Sequence, residues 1–159
     1  MDEKEKKYDC ATETKKHAKV IQRVSKPLID DLISRFENHD KSKLSSPELE
    51  CYNKYVPVLK TVNYGTPAYF EIRQNMLDEG LRHHYEMNRH HPEHFKNGIE
   101  GMTLVDIFEF FCDTYVDSLD SDNSYEKEFN KSCEKYHING TLKKILLNTY
   151  EEYLKDKVK

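Results

Sequence analysis

Histidine is the residue whose placement in this chain most clearly suggests chemistry. Five of its eight histidines fall within the segment 83–94. They are His83, His84, His90, His91 and His94. Two more, His17 and His39, fall on what helical periodicity predicts to be apolar faces, and Asp40 directly follows His39. Neutral imidazole and carboxylate are the usual ligands of divalent transition metals, so this pattern indicates a metal site.

A line of acidic residues supplies the second half of the pattern. Residues 104–119 are largely apolar, as expected of a buried helix, yet Asp106, Glu109 and Asp113 follow one another at i, i+3 and i+7. Burying an unpaired carboxylate costs several kcal/mol. We therefore expect these three groups to meet cations, hydrogen-bond donors or a metal held by histidines of neighbouring helices.

Each feature also has a structural explanation when it is taken alone. His17 can be a core histidine with satisfied hydrogen bonds, the acidic line can be a partly solvated groove, and the paired histidines can be a surface tract. The order of the set along the chain favours a metal site: a histidine, a His-Asp pair, a histidine cluster and then an aspartate on a buried helix.

Helices are predicted throughout the chain, and no β pattern of useful length is present. Capping signals mark several starts, such as Pro67 and the Thr103/Asp106 pair. The expected helices cover 12–24, 28–39, a segment starting at Ser46-Pro47-Glu48, 67 to about 88, a short turn at Pro92, 103–119, and two final amphipathic segments separated by 139–141. Residues 1–11 are expected to be a flexible N-terminus and 120–124 a polar loop. The predicted class is all-α, with one compact domain over 1–159.

Composition excludes several classes of protein. The net charge of -4 argues against a duplex nucleic-acid surface, and the four cysteines are too widely spaced for a zinc ribbon or a disulfide framework. No apolar run is as long as a membrane span, and the N-terminus lacks the hydrophobic stretch of a signal peptide. A cytoplasmic protein without a membrane partner is expected.

The ordered set of histidines and aspartates resembles the HD superfamily of helical metal proteins. The positions that match its ligand pattern are His17, His39, Asp40 and Asp113. The stretch 39–43 is similar to the HD-x-[GS]-K form, in which the lysine, here Lys43, points toward substrate phosphate. His83, His84, Glu86 and Asp113 also resemble the His-His-x-Glu … Asp arrangement of two-metal members such as the HD-GYP proteins.

A closer resemblance is to an uncharacterised family of bacterial and viral HD-like proteins. It rests on a Tyr-Gly-Thr turn at 64–69, the block HHYEMNRHHPEHF at 83–95 and the Cys112-Asp113 pair. Further matches are Gly98-Ile99, Met102, Leu104 and Asp106. The fold implied is a compact helical bundle of the HD-domain type.

This resemblance implies a metal-dependent phosphohydrolase that acts on a nucleotide or another small phosphorylated substrate, with metal-activated water as the nucleophile. One divalent ion (Mn, Fe, Co, Ni, Zn or Mg) is expected at His17, His39, Asp40 and Asp113. Some of His84, His90, His91 and His94 would hold a second ion or the substrate phosphate. Lys43 and Arg89 would neutralise phosphoryl charge, Glu86 or Glu93 would protonate the leaving group, and Asp106 and Glu109 would orient ligand histidines.

Three alternatives stay open on the sequence. The chain can be a catalytically silent HD-fold protein with a binding or regulatory role, of viral origin for example. It can be a di-iron oxygenase, since some HD proteins with additional histidines oxidise small molecules. It can also be a purely structural helical protein, and the possibility of a homodimer stays open as well.

Overall fold

The structure is a computed structural model that describes residues 8–119 and 124–155. Those residues form helices and connecting turns and contain no β-strand, which confirms the all-α prediction. The chain divides into two compact units, residues 1–37 and 38–159. Most of the predicted flexible N-terminus (1–7) and of the predicted polar loop (120–123) lies outside the described residues. The assignment of all 159 residues to one domain stays a prediction.

The described part of the first unit is one long helix, α1 (Cys10–Glu37). The sequence predicted two helices divided near Pro27, and this was wrong, because Pro27 lies inside a continuous helix. A proline lacks an amide donor and its ring crowds the carbonyl four residues before it, which weakens the helix locally, but the helical turns before and after Pro27 hold the two halves together. Val20, Ile21 and Val24 of the predicted apolar face are all exposed.

The described residues of the second unit contain six further α-helices. They are α2 (Glu48–Leu59), α3 (Pro67–Met76), α4 (Arg82–Met87), α5 (Leu104–Leu119), α6 (Tyr125–Tyr136) and α7 (Gly140–Tyr153). A π-helical segment, Leu77–Leu81, joins α3 to α4, and short 3₁₀ turns occur at Lys41–Leu44, Pro92–His94 and Gly98–Gly101. The single long helix predicted from Pro67 to about Asn88 is thus a continuous helical path with a π segment inside it.

Local caps fix where two of these helices begin. The Thr66 hydroxyl accepts a hydrogen bond from the Tyr69 amide at 3.2 Å, with Pro67 at the first helical position. At α5 the Thr103 hydroxyl accepts from the Asp106 amide at 3.2 Å, and the Asp106 carboxylate accepts from the Thr103 amide at 2.8 Å. This reciprocal pair is a capping box, as the sequence predicted.

Two apolar clusters stabilise the second unit. The larger one joins α5, α6 and α7 around Phe111 and Phe129, both almost fully buried. The smaller one joins α2 to α3 and the π segment through Cys51, Met76 and Leu81. Gly80 allows this approach, because a Cβ at that position would lie 2.6 Å from the Cys51 Cβ. The two clusters hold α2, α4 and α5, which carry polar residues of the candidate site.

No helix among the described residues combines the length and the apolar character needed to cross a lipid bilayer.

Candidate metal centre

His39 and Asp40 enter the site from a turn at residues 38–40, whereas the sequence predicted that His39 lies on a helix. Asp40 has a left-handed backbone, with φ 56° and ψ 16°. Aspartate and asparagine accept this conformation more readily than other side chains that carry a Cβ. The turn aims both side chains toward α4, the loop that follows α4, and α5, where the remaining candidate ligands lie.

The first group of candidate ligands combines a carboxylate with three imidazoles: Asp40, His84, His90 and His91. Asp40 Oδ1 lies 3.4 Å from His84 Nε2 and 3.5 Å from His90 Nε2. His84 Nε2 lies 2.8 Å from His91 Nε2. One potential ligand atom from each residue therefore points at a common centre.

The second group consists of His39, His90 and Asp113. His39 Nε2 lies 3.2 Å from Asp113 Oδ1, and the His39 and His90 rings are 4.3 Å apart between centroids. His90 belongs to both groups, so the two candidate ion positions adjoin one another. Two neighbouring positions with mixed histidine and carboxylate ligands can hold one or two divalent ions.

Two buried polar atoms at this junction lack a hydrogen-bond partner among the described residues: Asp40 Oδ1 and His90 Nε2. An unsatisfied buried polar atom costs roughly 1–3 kcal/mol, so such atoms are rare unless an ion or a ligand completes them. A cation bound to both atoms would remove this cost. The residues present therefore fit a divalent ion.

Two buried glutamates orient the histidine rings from behind. Glu109 Oε1 lies 3.0 Å from His39 Nδ1 and 3.4 Å from His90 Nδ1. Glu48, which is fully buried, contacts His84 Nδ1 at 2.7 Å and His83 Nδ1 at 2.7 Å. A carboxylate beside Nδ1 fixes the proton there and leaves the Nε2 lone pair for a metal. The Nε2 atoms of His39, His84 and His90 face the ligand groups, to which His83 does not belong.

The electrostatics of the ion-free chain follow from these contacts. Hydrogen bonds to Asp113 and Glu109 raise the pKa of His39 to about 10, so the ring is a cation at neutral pH. Burial, together with the nearby His90 and His84, lowers the pKa of His91 to about 2. Burial alone would raise the pKa of Glu109, but hydrogen bonds to His39 and His90 outweigh it and lower the pKa to about 2. Ion binding at His39 must displace a proton.

A cavity of about 250 Å³ opens beside the first ligand group and is lined by Asp40, His84, His91 and Asp113. Lys43 also lines it, donates a hydrogen bond to Asp40 Oδ2, and places its ammonium 4.8 Å from the centre of the Tyr52 ring. A larger cavity of about 560 Å³ shares Asp113 and His91 with the smaller one. The ligand groups are therefore open to a molecule of small-substrate size.

A family model described as a family of unknown function, DUF5662, matches residues 6–152 of the chain. The chain belongs to DUF5662. No curated protein and no solved structure matches it. The function of this DUF5662 member is therefore inferred from its own residues.

Arg89 and Asp106 of this DUF5662 member form a pair of their own. The Arg89 guanidinium donates to both Asp106 carboxylate oxygens, at 2.9 and 3.0 Å, and stacks 4.9 Å from the Phe95 ring centre. Asp106 is fully buried and also accepts hydrogen bonds from the Thr103 amide and hydroxyl. Neither residue lines the two cavities, so this geometry gives no support to the predicted roles of Arg89 toward phosphate and of Asp106 toward a ligand histidine.

Replacing Arg89 with alanine is expected to lower the free energy of unfolding by about 1–3 kcal/mol, because the buried Asp106 carboxylate would lose its charged partner. Asp106 keeps its hydrogen bonds to Thr103, which limits the loss. Urea unfolding of the variant measures this change, and Arg82→Ala, at an exposed position, is the matched control. Metal content should stay at the wild-type value. Loss of bound metal with unchanged stability would instead place Arg89 at the ligand site.

Three other predicted residues, Glu86, Glu93 and His94, belong to neither ligand group. His94 Nδ1 contacts the Tyr85 carbonyl at 3.1 Å, and His94 belongs to neither ligand group. Glu86 is exposed, whereas Glu93 accepts hydrogen bonds from Lys135 and Tyr136, both at 2.9 Å. The roles of Glu86 and Glu93 as proton donors, and of His94 as a ligand, stay predictions.

His17 belongs to the first unit and is exposed on α1. Both ligand groups consist only of residues from the second unit. The two groups together contain six different residues, because His90 belongs to both, and His17 is not one of them. The assignment of His17 as a ligand stays a prediction.

Sequence reasoning missed two residues of the site. The sequence pattern predicts Glu48 only as part of a helix start, although its carboxylate contacts His83 and His84, which lie 35 and 36 positions further along the chain. The sequence pattern gives Arg73 no role at the site, although Arg73 lines both cavities. Neither has a local sequence signal, because an acidic residue in a first helical turn and an arginine on a helix are both common surface features.

Proposed function

We propose that this DUF5662 member is a metal-dependent phosphohydrolase of the HD type, acting in the cytoplasm on a nucleotide or another small phosphorylated molecule. One observation carries the proposal: the buried Asp40 Oδ1 and His90 Nε2 have no hydrogen-bond partner among the described residues and lie where two ligand groups adjoin. The order of His39, Asp40, the histidine block and Asp113 along the chain supports it through the HD resemblance.

The proposed ligands divide into two sets that share His90. Asp40, His84 and His91 would complete one ion position, and His39 and Asp113 would complete the other. A divalent ion supplies Lewis acidity toward phosphoryl oxygens and lowers the pKa of a bound water toward neutrality. Glu48 and Glu109 would hold the rings in the orientation that binding needs.

The cavity beside the ligands supports a phosphorylated substrate. Lys43 places a cation in that cavity, and its hydrogen bond to Asp40 ties the ammonium to the ligand turn. An ammonium at this point would attract a phosphate monoester and stabilise charge on its oxygens. A volume of about 250 Å³, next to a larger space of about 560 Å³, suits a phosphate group that is attached to a small organic body.

The first test is elemental analysis of the full chain purified without a metal-affinity tag. We expect one or two divalent transition ions per chain, and phosphate release from a panel of phosphomonoesters and nucleotides with Mn, Co or Mg. A chain without bound metal, and without gain of metal on reconstitution, would contradict the proposal. Bound metal without phosphate release from any compound would favour the catalytically silent alternative.

A di-iron oxygenase is the second candidate, because the same six ligands with a shared histidine also suit two iron ions. Oxygen uptake distinguishes the two functions. Phosphohydrolysis should proceed without oxygen and with several redox-inert metals, whereas oxygenation requires iron and consumes oxygen in each turnover.

A further inference from the structure

We propose that Arg73, with the phenols of Tyr85 and Tyr52, forms a phosphoryl-binding subsite beside the candidate metal centre. The proposal rests on the proposed function, since the phosphoryl group would be that of the substrate. It adds a binding residue to this site and names the chemical group that the small cavity accepts. Three observations support it: the charge state of Arg73, its position in both cavities, and the hydrogen-bond donors around it.

Arg73 differs from the other cations that line the small cavity. Lys43 pairs with Asp40, and Lys135 pairs with Glu93. Arg73 is partly buried on α3, and within residues 8–119 and 124–155 it makes no ion pair with a carboxylate. Its Nη2 donates to the neutral Tyr85 hydroxyl at 2.9 Å. A partly buried guanidinium without a carboxylate within ion-pair distance favours an anionic ligand.

The position of Arg73 places such an anion next to the metal ligands. Arg73 lines the cavity of about 250 Å³ together with Asp40, His84, His91 and Asp113. It also lines the larger cavity of about 560 Å³, so it lies where the two spaces meet. An anionic group bound by Arg73 in the small cavity would therefore share that space with the candidate ions, and the rest of the molecule would extend into the larger one.

The donors around Arg73 suit a phosphoryl group better than a carboxylate. The Tyr85 oxygen already accepts a hydrogen bond from Arg73, so its own hydrogen remains for another acceptor, and none lies within hydrogen-bonding distance in the described part of the chain. Tyr52 and Lys43 line the same cavity. A guanidinium fork, two phenols and an ammonium offer more donors than the two oxygens of a carboxylate can use, whereas a phosphoryl group carries three terminal oxygens.

Calorimetric titration with inorganic phosphate tests the subsite. The full chain is titrated as purified, and again after removal of metal, at constant ionic strength. Arg73→Gln is expected to weaken phosphate binding at least about tenfold, which is the loss expected when charge-assisted hydrogen bonds are removed. Arg82→Gln is the matched control, because Arg82 is exposed and forms only a loose pair with Asp78 at 3.6 Å. It should bind phosphate like the wild type.

A second variant, a second anion and two structural controls complete the phosphate titration. Arg73→Lys retains the charge without the planar fork and should bind phosphate with intermediate strength. Acetate should bind more weakly than phosphate, and equal binding would overturn the phosphoryl assignment. Wild-type affinity of Arg73→Gln for phosphate, or no phosphate binding by the wild type, would also overturn it. A wild-type helical circular-dichroism spectrum and unchanged metal content of Arg73→Gln show that folding and the metal centre are intact.

The two proposals fail in different ways. Absence of metal from the wild-type chain contradicts the phosphohydrolase, while the phosphate titration of the metal-free chain still decides the role of Arg73. Normal metal content combined with an unaltered phosphate affinity of Arg73→Gln removes the subsite and leaves the metal centre in place.

Discussion

Replacing His90 with glutamine is expected to abolish retention of divalent metal and, with it, phosphate release. His90 is the one residue common to both ligand groups, is almost fully buried, and carries one of the two polar atoms at their junction that lack a hydrogen-bond partner among the described residues. Loss of a residue that orients a ligand typically lowers metal affinity about 10–100-fold, so loss of a ligand shared by two positions should exceed about 100-fold. Elemental analysis of the purified variant, followed by titration with Mn, measures the change.

Asp40→Asn is a second variant with the same expected loss. Asparagine accepts the left-handed backbone of position 40 as readily as aspartate, so the turn should survive while the anionic ligand is removed. His137→Asn is the matched control: His137 is exposed, also has a left-handed backbone, and belongs to neither ligand group. If His90→Gln or Asp40→Asn kept the wild-type metal content, this assignment of the ligands would fail. His17→Gln, treated in the same way, decides whether α1 contributes a ligand.

Helix starts were predictable from the sequence because their causes are local. The Thr103/Asp106 capping box and the Thr66-Pro67 start each involve residues at most three positions apart, and the structure contains both. The division at Pro27 was predicted wrongly, since a proline weakens a helix at one amide without requiring it to end. The π segment Leu77–Leu81 has no simple periodic signal that would distinguish it from the α-helix before it.

The residue types of the site were predictable from the sequence, but the contacts between its side chains were predictable only in part. The histidine block and the acidic line of α5 do meet, since His90 of the block contacts Glu109, and His39 contacts both Glu109 and Asp113. Asp106 belongs to the same line but turns to Arg89. Helical spacing determines which residues share a face, whereas the neighbouring helix determines which cation each carboxylate meets. The identity of that cation depends on tertiary packing. For the same reason, the sequence did not indicate that Glu48 and Arg73 belong to the site.

Replacing Glu109 with glutamine is expected to weaken metal binding about 10–100-fold without preventing folding. Glu109 is buried and contacts the Nδ1 atoms of His39 and His90, which belong to the same ligand group. Glutamine keeps the size of the side chain and one acceptor oxygen, but it removes the negative charge that holds the Nδ1 protons and makes each Nε2 a stronger ligand. Competition with a chelator of known affinity measures the loss.

The size of the loss in metal affinity distinguishes a residue that orients a ligand, such as Glu109, from a ligand itself, such as His90. Glu109→Gln should still bind metal at high concentration, with the wild-type number of ions per chain, whereas His90→Gln should not bind at any accessible concentration. Glu100→Gln, at an exposed position, is the control for the loss of one negative charge. Unchanged metal affinity of Glu109→Gln would mean that the Nδ1 contacts serve only the ion-free fold, and the orientation of His39 and His90 would then have to come from packing alone.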